Sequence, residues 1–389
     1  MQIVILGAGY AGLRTALDLA RFRREQGLDI TIRLVDQHPY HQLIQLLHLT
    51  ATAGIADQKS IYQLDHLLQG RDIERVEGRV TAIHPLERTV TLADGRSLPY
   101  DRLVLALGSE TAFNTPGARE HALPLHTFAH AVALRKHIVA QFTKAASLTD
   151  PTELRITMTT AIVGGGYTGC ELAGELAVWA DDLCQQTGAP RKEVRIALIE
   201  REDHLLPHLG EWASHEAVRR LERLGVNVFL KTPVTQVEPQ RLRFADGRIL
   251  RAGTIVWGAG VRAPALLAEA GFPTDRIGRV LVDRYLRVNG QAVVFAIGDC
   301  AAVSDGRGGI LPPAASYAIR QGAHLAAELA AEARGEAPRP YEPVELGEVV
   351  SLGPNDAIGS ALGVPVMGYP ALMLKRGIEE YYRATIESA

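Results

Sequence analysis

The chain lacks any uninterrupted apolar run of about 18 residues, so no segment reads as a membrane-spanning helix. Cysteine is scarce as well. Only Cys170, Cys184 and Cys300 occur, too widely separated for a zinc pattern or a CxxC redox pair, and Cys170 reads as a small packing residue in a helix. An excess of either charge is also missing: 41 Lys and Arg against 44 Asp and Glu leave a formal charge of −3, which excludes general attraction to nucleic acid. The first residues enter a β-rich run without the basic segment, apolar core and small-residue cleavage site of an export signal, so a cytoplasmic protein is expected. The histidines come nearest to a ligand set at His204, His208 and His215, where Pro207 interrupts any helix that would align them, and no metal site is expected.

What is present is one glycine pattern, twice. GAGYAG (Gly7, Gly9, Tyr10, Ala11, Gly12) and GGGYTG (Gly164, Gly166, Tyr167, Thr168, Gly169) each lie between a β-rich run and helical apolar spacing. The first glycine permits a tight turn, the second lets the backbone approach a pyrophosphate, and the third lets helix and strand pack closely. After the first copy, the strand Ile30 to Val35 delivers Asp36, roughly 20 residues beyond the glycines, where a ribose hydroxyl needs an acceptor. After the second, Val194 to Ile199 delivers Glu200, with the polar stretch Asp181 to Lys192 reading as an insertion before it. Glu200 favours a free 2′-hydroxyl and so NADH over NADPH, while the neighbouring Arg201 leaves room for a phosphate.

Smaller signals repeat in the same order. Short strands at Arg79 to Ile83, Thr89 to Leu92 and Ser97 to Leu98 surround the turn Ala93-Asp94-Gly95, and a buried strand then ends in Ala106-Leu107-Gly108. Val234 to Val237, Leu242 to Phe244 and Ile249 to Leu250 surround Ala245-Asp246-Gly247, and the next strand ends in Gly258-Ala259-Gly260. Two similar halves follow, and 389 residues at 47% hydrophobic content supply more than one core. The fold class is α/β with two Rossmann-like dinucleotide-binding domains and a short C-terminal element.

These residues, together with Gly298-Asp299-Cys300-Ala301, resemble the two-dinucleotide flavoprotein reductases over nearly the whole chain. Within that superfamily Asp36-Gln37-His38-Pro39-Tyr40-His41-Gln42-Leu43, GGGYTGCELAGEL, Trp257 to Val261 and Pro312-Pro313-Ala314-Ala315 are similar to the type II NADH dehydrogenases and related NAD(P)H:quinone reductases. The resemblance implies FAD held by Gly7, Gly9, Tyr10, Ala11, Gly12, Asp36, Gln37, Val80, Ala106, Gly108, Gly298, Asp299 and Ala315. It implies NADH held by Gly164, Gly166, Tyr167, Thr168, Gly169, Glu200, Ala259 and Gly260. Residues 1–114 and 263–340 are then the FAD-binding domain, 115–262 the NADH-binding domain, and 341–389 a C-terminal element. Disulfide reductases of the superfamily carry a cysteine pair in the first helix region. This chain has no cysteine before Cys170, so electrons are expected to leave the flavin directly for an external acceptor.

Glu171 resembles the family's acid near the nicotinamide, and it also reads as a first-turn helix carboxylate favoured by the dipole; both readings stand. Pro312-Pro313 reads as the start of a helix running from Ala314 to Leu329, whose positive end the family points at the flavin ring. Here the chain departs from the family. Ser316 stands where the first quinone-facing glutamine is expected and Arg320 where the second is, with Tyr317 beside them either to stack on a quinone or to fill the core.

In the tail, Leu374, Ile378, Tyr381 and Tyr382 fall on one helical face with Lys375, Arg376, Glu379, Glu380 and Arg383 largely elsewhere. Attachment at the inner face of the cell membrane, packing against the domain and packing in a homodimer are all open. The expected activity is an FAD-dependent NADH:quinone oxidoreductase; the alternatives are a reductase of a small electron-transfer protein such as ferredoxin or rubredoxin, and a slow NADH-sensing flavoprotein.

Overall fold

Gln2–Leu6 (β1) is the centre of a five-stranded parallel sheet; Ile3, Val4, Ile5 and Leu6 are fully buried, as a strand covered on both faces requires. The computed structural model describes residues 1–388, in which β1 leads into the helix Tyr10–Gln26 (α1) and the strand Thr31–Asp36 (β2). A short helix, Leu47–Ala51 (α2), and the strands Ile73–Glu77 (β3) and Arg102–Leu105 (β4) follow. Leu123–Pro124 (β5) opens a second set: Thr159–Val163 (β6), the helix Tyr167–Thr187 (α3), Arg195–Ile199 (β7), Val226–Phe229 (β8) and Thr254–Trp257 (β9). The chain then returns as Val294–Ala296 (β10) and the helix Ala315–Ala333 (α4), which packs along α1. Last come Gly347–Ser351 (β11), Ala357–Ala361 (β12), Val364–Met367 (β13) and the helix Gly368–Ser388 (α5).

The two large sheets have the orders β10-β4-β1-β2-β3 and β5-β9-β6-β7-β8. Every neighbouring pair in them is parallel. In both, the connection reverses direction beside the first long strand, which opens a crevice at the carboxyl ends where ligands bind in such folds. Each sheet also has its own small antiparallel meander, at 80–99 and at 234–251, so the repetition visible in the sequence is a repetition of architecture. The chain crosses between the sheets at a short ladder in which Glu110 and Thr111 pair with Arg262 and Val261.

Two local expectations are corrected. The stretch from Asp181 is not an inserted loop, because α3 continues through it to Thr187; Ala180 and Leu183 are buried while Asp181 and Asp182 face solvent, so the helical period persists under a polar sequence. The helix after Pro312-Pro313 begins only at Ala315, with Ala314 in extended backbone as its cap, so the prolines precede the helix and do not occupy its first turn.

The tail completes both cores. Val350, Leu352 and Ile358 are buried among the apolar residues of α3, while Tyr382 and Ile386 are buried in the core of the first sheet. Arg220 forms an ion pair with Asp356 of the turn between β11 and β12. The helical face expected to be apolar is rotated: Tyr382 is inside, with Lys375 and Glu379 on the same side, whereas Leu374, Ile378 and Tyr381 face solvent. The reason is electrostatic, because Lys375 finds a buried carboxylate on α3. Ile358→Ala and Ile386→Ala, both 0% exposed, are each expected to cost about 2–5 kcal/mol, read as a lowered urea midpoint, whereas Ile378→Ala on the exposed side should change stability by about 0.5 kcal/mol or less.

Candidate active site

At the carboxyl end of β1 the backbone turns at Gly7 with φ +100°, and a Cβ there would lie 2.3 Å from the carbonyl oxygen of Ala106. A Cβ on Gly12 would lie 1.9 Å from the Gly7 oxygen, so helix and turn touch, while around Gly9 nothing stands within 4 Å. That open side is what an approaching pyrophosphate needs. The Ala8 N–H donates to Asp36 Oδ2 at 2.6 Å and the His38 N–H to Oδ1 at 2.8 Å. Burial pushes the Asp36 carboxyl up, against these bonds. Along the same edge of the sheet stand Ala106 and Gly108 after β4, Gly298 and Asp299 after β10, and Ala315 at the start of α4; Gln37 follows β2, and Val80 lies in the adjoining meander. Ser109 Oγ donates to Asp299 Oδ2 at 3.0 Å, and Gln321 Oε1 accepts from the Gly298 N–H at 2.7 Å. Asp299, Gly298, Tyr317, Gln321, Pro313 and Arg279 line one cavity.

The second fingerprint is built the same way. Gly164 has φ +114° and would place a Cβ 2.6 Å from the Gly258 oxygen, Gly169 would meet the Gly164 oxygen at 1.9 Å, and Gly166 has nothing within 4 Å. The Gly165 N–H donates to Glu200 Oε2 at 2.6 Å and the Glu202 N–H to Oε1 at 2.9 Å. Ala259 and Gly260 follow β9 beside this loop. Arg201, the residue that leaves room for a 2′-phosphate, is tied to Glu202 at 2.8 Å with its side chain 75% exposed. Both cradles thus fit a dinucleotide: a clear side at the middle glycine, helix N–H groups, and a fixed carboxylate with lone pairs to spare for a ribose.

Glu171 lies just past the first turn of α3, so the first-turn reading is corrected, and its carboxylate turns toward the C-terminal element. Lys375 Nζ is 2.9 Å from Oε1, His48 Nδ1 is 3.3 Å from Oε2, and the Ser351 backbone and hydroxyl donate to Oε1 at 3.3 and 3.2 Å. Burial opposes ionisation of Glu171, but the charges and donors around it hold the carboxyl below its ordinary value. Burial drives His48 down to about 4, so it is neutral near pH 7 and Lys375 is the cation that matters. Burial works against the Lys375 ammonium, and Glu171 and Glu379 raise it nonetheless. At the start of α3, the Tyr167 hydroxyl bonds Glu348 of β11.

Residues 1–327 match the pyridine nucleotide-disulphide oxidoreductase family. The chain belongs to this family. It is 32% identical over 385 residues to a type II NADH:quinone oxidoreductase of Staphylococcus aureus (strain NCTC 8325 / PS 47), covering 97% of this chain and 94% of the relative, so the likeness includes the C-terminal element. Among solved structures it resembles NDH2 from Plasmodium falciparum in complex with NADH, with TM-score 0.87 at 17% identity over 98% of this chain and 94% of that one. It also resembles the sulfide:quinone oxidoreductase from Aquifex aeolicus, with TM-score 0.80 at 20% identity over 100% and 91%. At these identities the structural likeness speaks for the fold. Despite the family's name, all three cysteines here are free thiols, and burial pushes Cys170 up and Cys300 up to about 12.

In this family member the four residues expected to do chemistry are not gathered at one point. Tyr317 lines the cavity with Asp299, Arg320 lies with its guanidinium carbon 5.2 Å over the Tyr317 ring, Ser316 is partly exposed on the first turn of α4, and Glu171 sits on another helix with Lys375. His48, Ser351, Lys375 and Glu348 were missed. No local pattern announces them, since Ser351 meets Glu171 across 180 residues.

One turn beyond Glu171 on the same helix, burial and then Glu171 push the Glu175 carboxyl from 4.5 up to about 7. A raised acid binds its proton more tightly folded than unfolded, so its contribution is present below about pH 4.5 and is lost as pH rises through 7. Glu175→Gln is therefore expected to stabilise the protein at pH 8 by on the order of 2 kcal/mol and to leave it near wild type at pH 5. Thermal melts across that range check it, and equal shifts at both pH values would contradict it.

Proposed function

We propose that this protein is an FAD-dependent NADH:quinone oxidoreductase, with FAD in the Gly7 cradle, NADH in the Gly164 cradle and a quinone as electron acceptor. The observation that carries this reading is the pair of carboxylate-braced glycine cradles in one chain that matches a type II relative over 97% of its length. Bound FAD supplies a ring that accepts a hydride and returns electrons singly or in pairs. Residues 1–114 and 263–340 serve FAD in this reading, residues 115–262 serve NADH, and the chain from 341 onward joins them.

The protein's part is binding and orientation. The N–H groups at the starts of α1 and α3 hold the two pyrophosphates, and Asp299 accepts from the ribityl chain while Ser109 keeps it aimed. Glu200, held by two backbone donors, accepts from a 2′-hydroxyl and repels a 2′-phosphate, with Arg201 neutralised by Glu202. Reduction of a quinone to a quinol consumes two protons, and Lys375 Nζ holds one 2.9 Å from Glu171 Oε1 in a buried setting between α3 and α5. Ser316, Tyr317 and Arg320 on the first turns of α4 are the groups offered to the acceptor, in place of the family's glutamines. Tyr369, Met373, Leu374, Ile378 and Tyr381 on α5 and Leu362, Val364 and Met367 on the β12–β13 hairpin form an exposed apolar surface. Such a surface suits the lipid in which long-chain quinones dissolve.

In stopped flow, NADH is expected to bleach the flavin absorbance at least about tenfold faster than NADPH, and a soluble quinone analogue to restore it. Glu200→Ser should narrow the nucleotide preference. Slow bleaching by either nucleotide, or restoration only by an iron–sulfur protein, would overturn the quinone reading. For the surface, Ile378→Asp with Tyr381→Asp is expected to release the protein from anionic phospholipid vesicles in a flotation assay without lowering NADH-dependent flavin reduction; unchanged flotation would count against lipid contact.

A further inference from the structure

The residue between the first two glycines of each fingerprint is held at both its N–H and its carbonyl, but the two halves do this differently. In the second, the Gly165 carbonyl accepts from the Leu206 backbone N–H at 3.0 Å and from Cys170 Sγ at 3.4 Å, both within the second half. In the first, the Ala8 carbonyl accepts from His41 Nδ1 at 2.8 Å. A carbonyl only accepts, so Nδ1 carries the ring proton and Nε2 of the neutral imidazole is an acceptor. Nε2 meets the hydroxyl of Tyr382, on α5, at 2.9 Å. His41 and Tyr382 are 1% and 5% exposed, and Tyr10 of the fingerprint closes the cluster, its ring centroid 5.1 Å from His41 and 4.8 Å from Tyr382. Burial keeps His41 uncharged, with its pKa down at about 4, so the arrangement of donors holds throughout the neutral range.

A planar trans peptide points its C=O and N–H in opposite directions. Drawing the Ala8 carbonyl onto His41 therefore aims the Gly9 N–H the other way, and at Gly9 no atom stands within 4 Å of where a Cβ would be. α5 is fixed in this register by Ile386 in the core, by Arg71 donating to the carbonyls of Ile386 and Glu387, and by Arg383 donating to that of Lys59.

We propose that His41 and Tyr382 are positioning residues for FAD: the C-terminal helix, through Tyr382 and His41, orients the Ala8–Gly9 peptide of the first cradle and so sets how tightly the pyrophosphate is held. The proposal rests on the reading that this cradle takes FAD, and extends it by making flavin retention depend on a residue 341 positions away from His41.

The test is flavin release from the holoenzyme on dilution, followed by the rise in flavin fluorescence. Tyr382→Phe removes one hydroxyl and keeps the ring in place; release is expected to be about tenfold faster, with NADH affinity and the melting temperature close to wild type. His41→Leu fills the space but neither donates to Ala8 nor accepts from Tyr382, so adding Tyr382→Phe to it should change release little further. A merely structural role for Tyr382 would instead lower the melting temperature and NADH affinity together. Release within twofold of wild type in Tyr382→Phe, or effects of the two substitutions that simply add, overturns the proposal while leaving FAD binding intact. Wild-type protein that binds NADH but neither carries nor takes up flavin overturns the assignment of the first cradle, and this proposal with it.

Discussion

A carboxylate at the end of the strand that follows each fingerprint helix, drawn onto a fingerprint N–H at 2.6 Å, is the contact on which the rest of the site depends. The first N–H groups of a helix have no partner within it, and a loop of glycines is too free to aim them by itself. Asp36 and Glu200 remove that freedom from outside, each binding one N–H in the loop and one two residues further along its own chain. The same carboxylates keep lone pairs for a ribose hydroxyl, so in the proposed reading a single group in each half sets both loop geometry and nucleotide recognition. The price is burial of charge, which for Asp36 shows as a raised carboxyl.

The C-terminal element solves a different problem. The two halves meet at the short ladder of Glu110–Thr111 with Val261–Arg262 and at α2, whose Leu47 and Ala51 are buried against the apolar residues of α3, and contacts between domains leave relative motion as the default unless they are large. Here β11 and β12 enter the core beside α3, and Tyr382 and Ile386 enter the other. Between these anchors Lys375 and Glu171 form a buried pair with Ser351 and His48 bonded around it. Taken alone, a buried pair gains little over apolar residues, but losing either partner leaves an uncompensated charge. The pair therefore opposes separation of α5 from α3 more than it stabilises the folded state.

What the sequence made legible was local. Glycine spacing, the acid about 20 residues on and the small residues ending β4 and β9 all lie within one strand–turn–helix unit, where steric limits on the backbone leave few alternatives. What stayed hidden was decided by distant partners. Lys375 looked like a solvated charge because its carboxylate lies 204 positions back, at Glu171. Tyr382 looked like part of an apolar stripe with Ile378 and Tyr381, yet one residue's rotation, set by His41 and Lys375, put it inside and left the other two in solvent. Helical period tells which residues share a face but not which face is covered. For α3, the polar sequence from Asp181 hid two further turns, because half of each turn faces water.

The asymmetry between the halves follows from where each cradle lies relative to α5. The second-half loop braces its middle carbonyl with the Leu206 backbone from the adjoining segment, while the helix behind it is tied to the C-terminal element through Tyr167 with Glu348 and Glu171 with Lys375. A nucleotide that enters and leaves at every turnover, as proposed for this cradle, is suited to a loop carbonyl braced by backbone. The first-half loop instead takes its brace from the His41 side chain, which Tyr382 at the opposite end of the chain bonds in turn, so in the proposed reading its geometry is coupled to the docking of residues 368–388. For a group that is bound once and kept, as proposed for FAD in this cradle, coupling the loop to a docked helix opposes release.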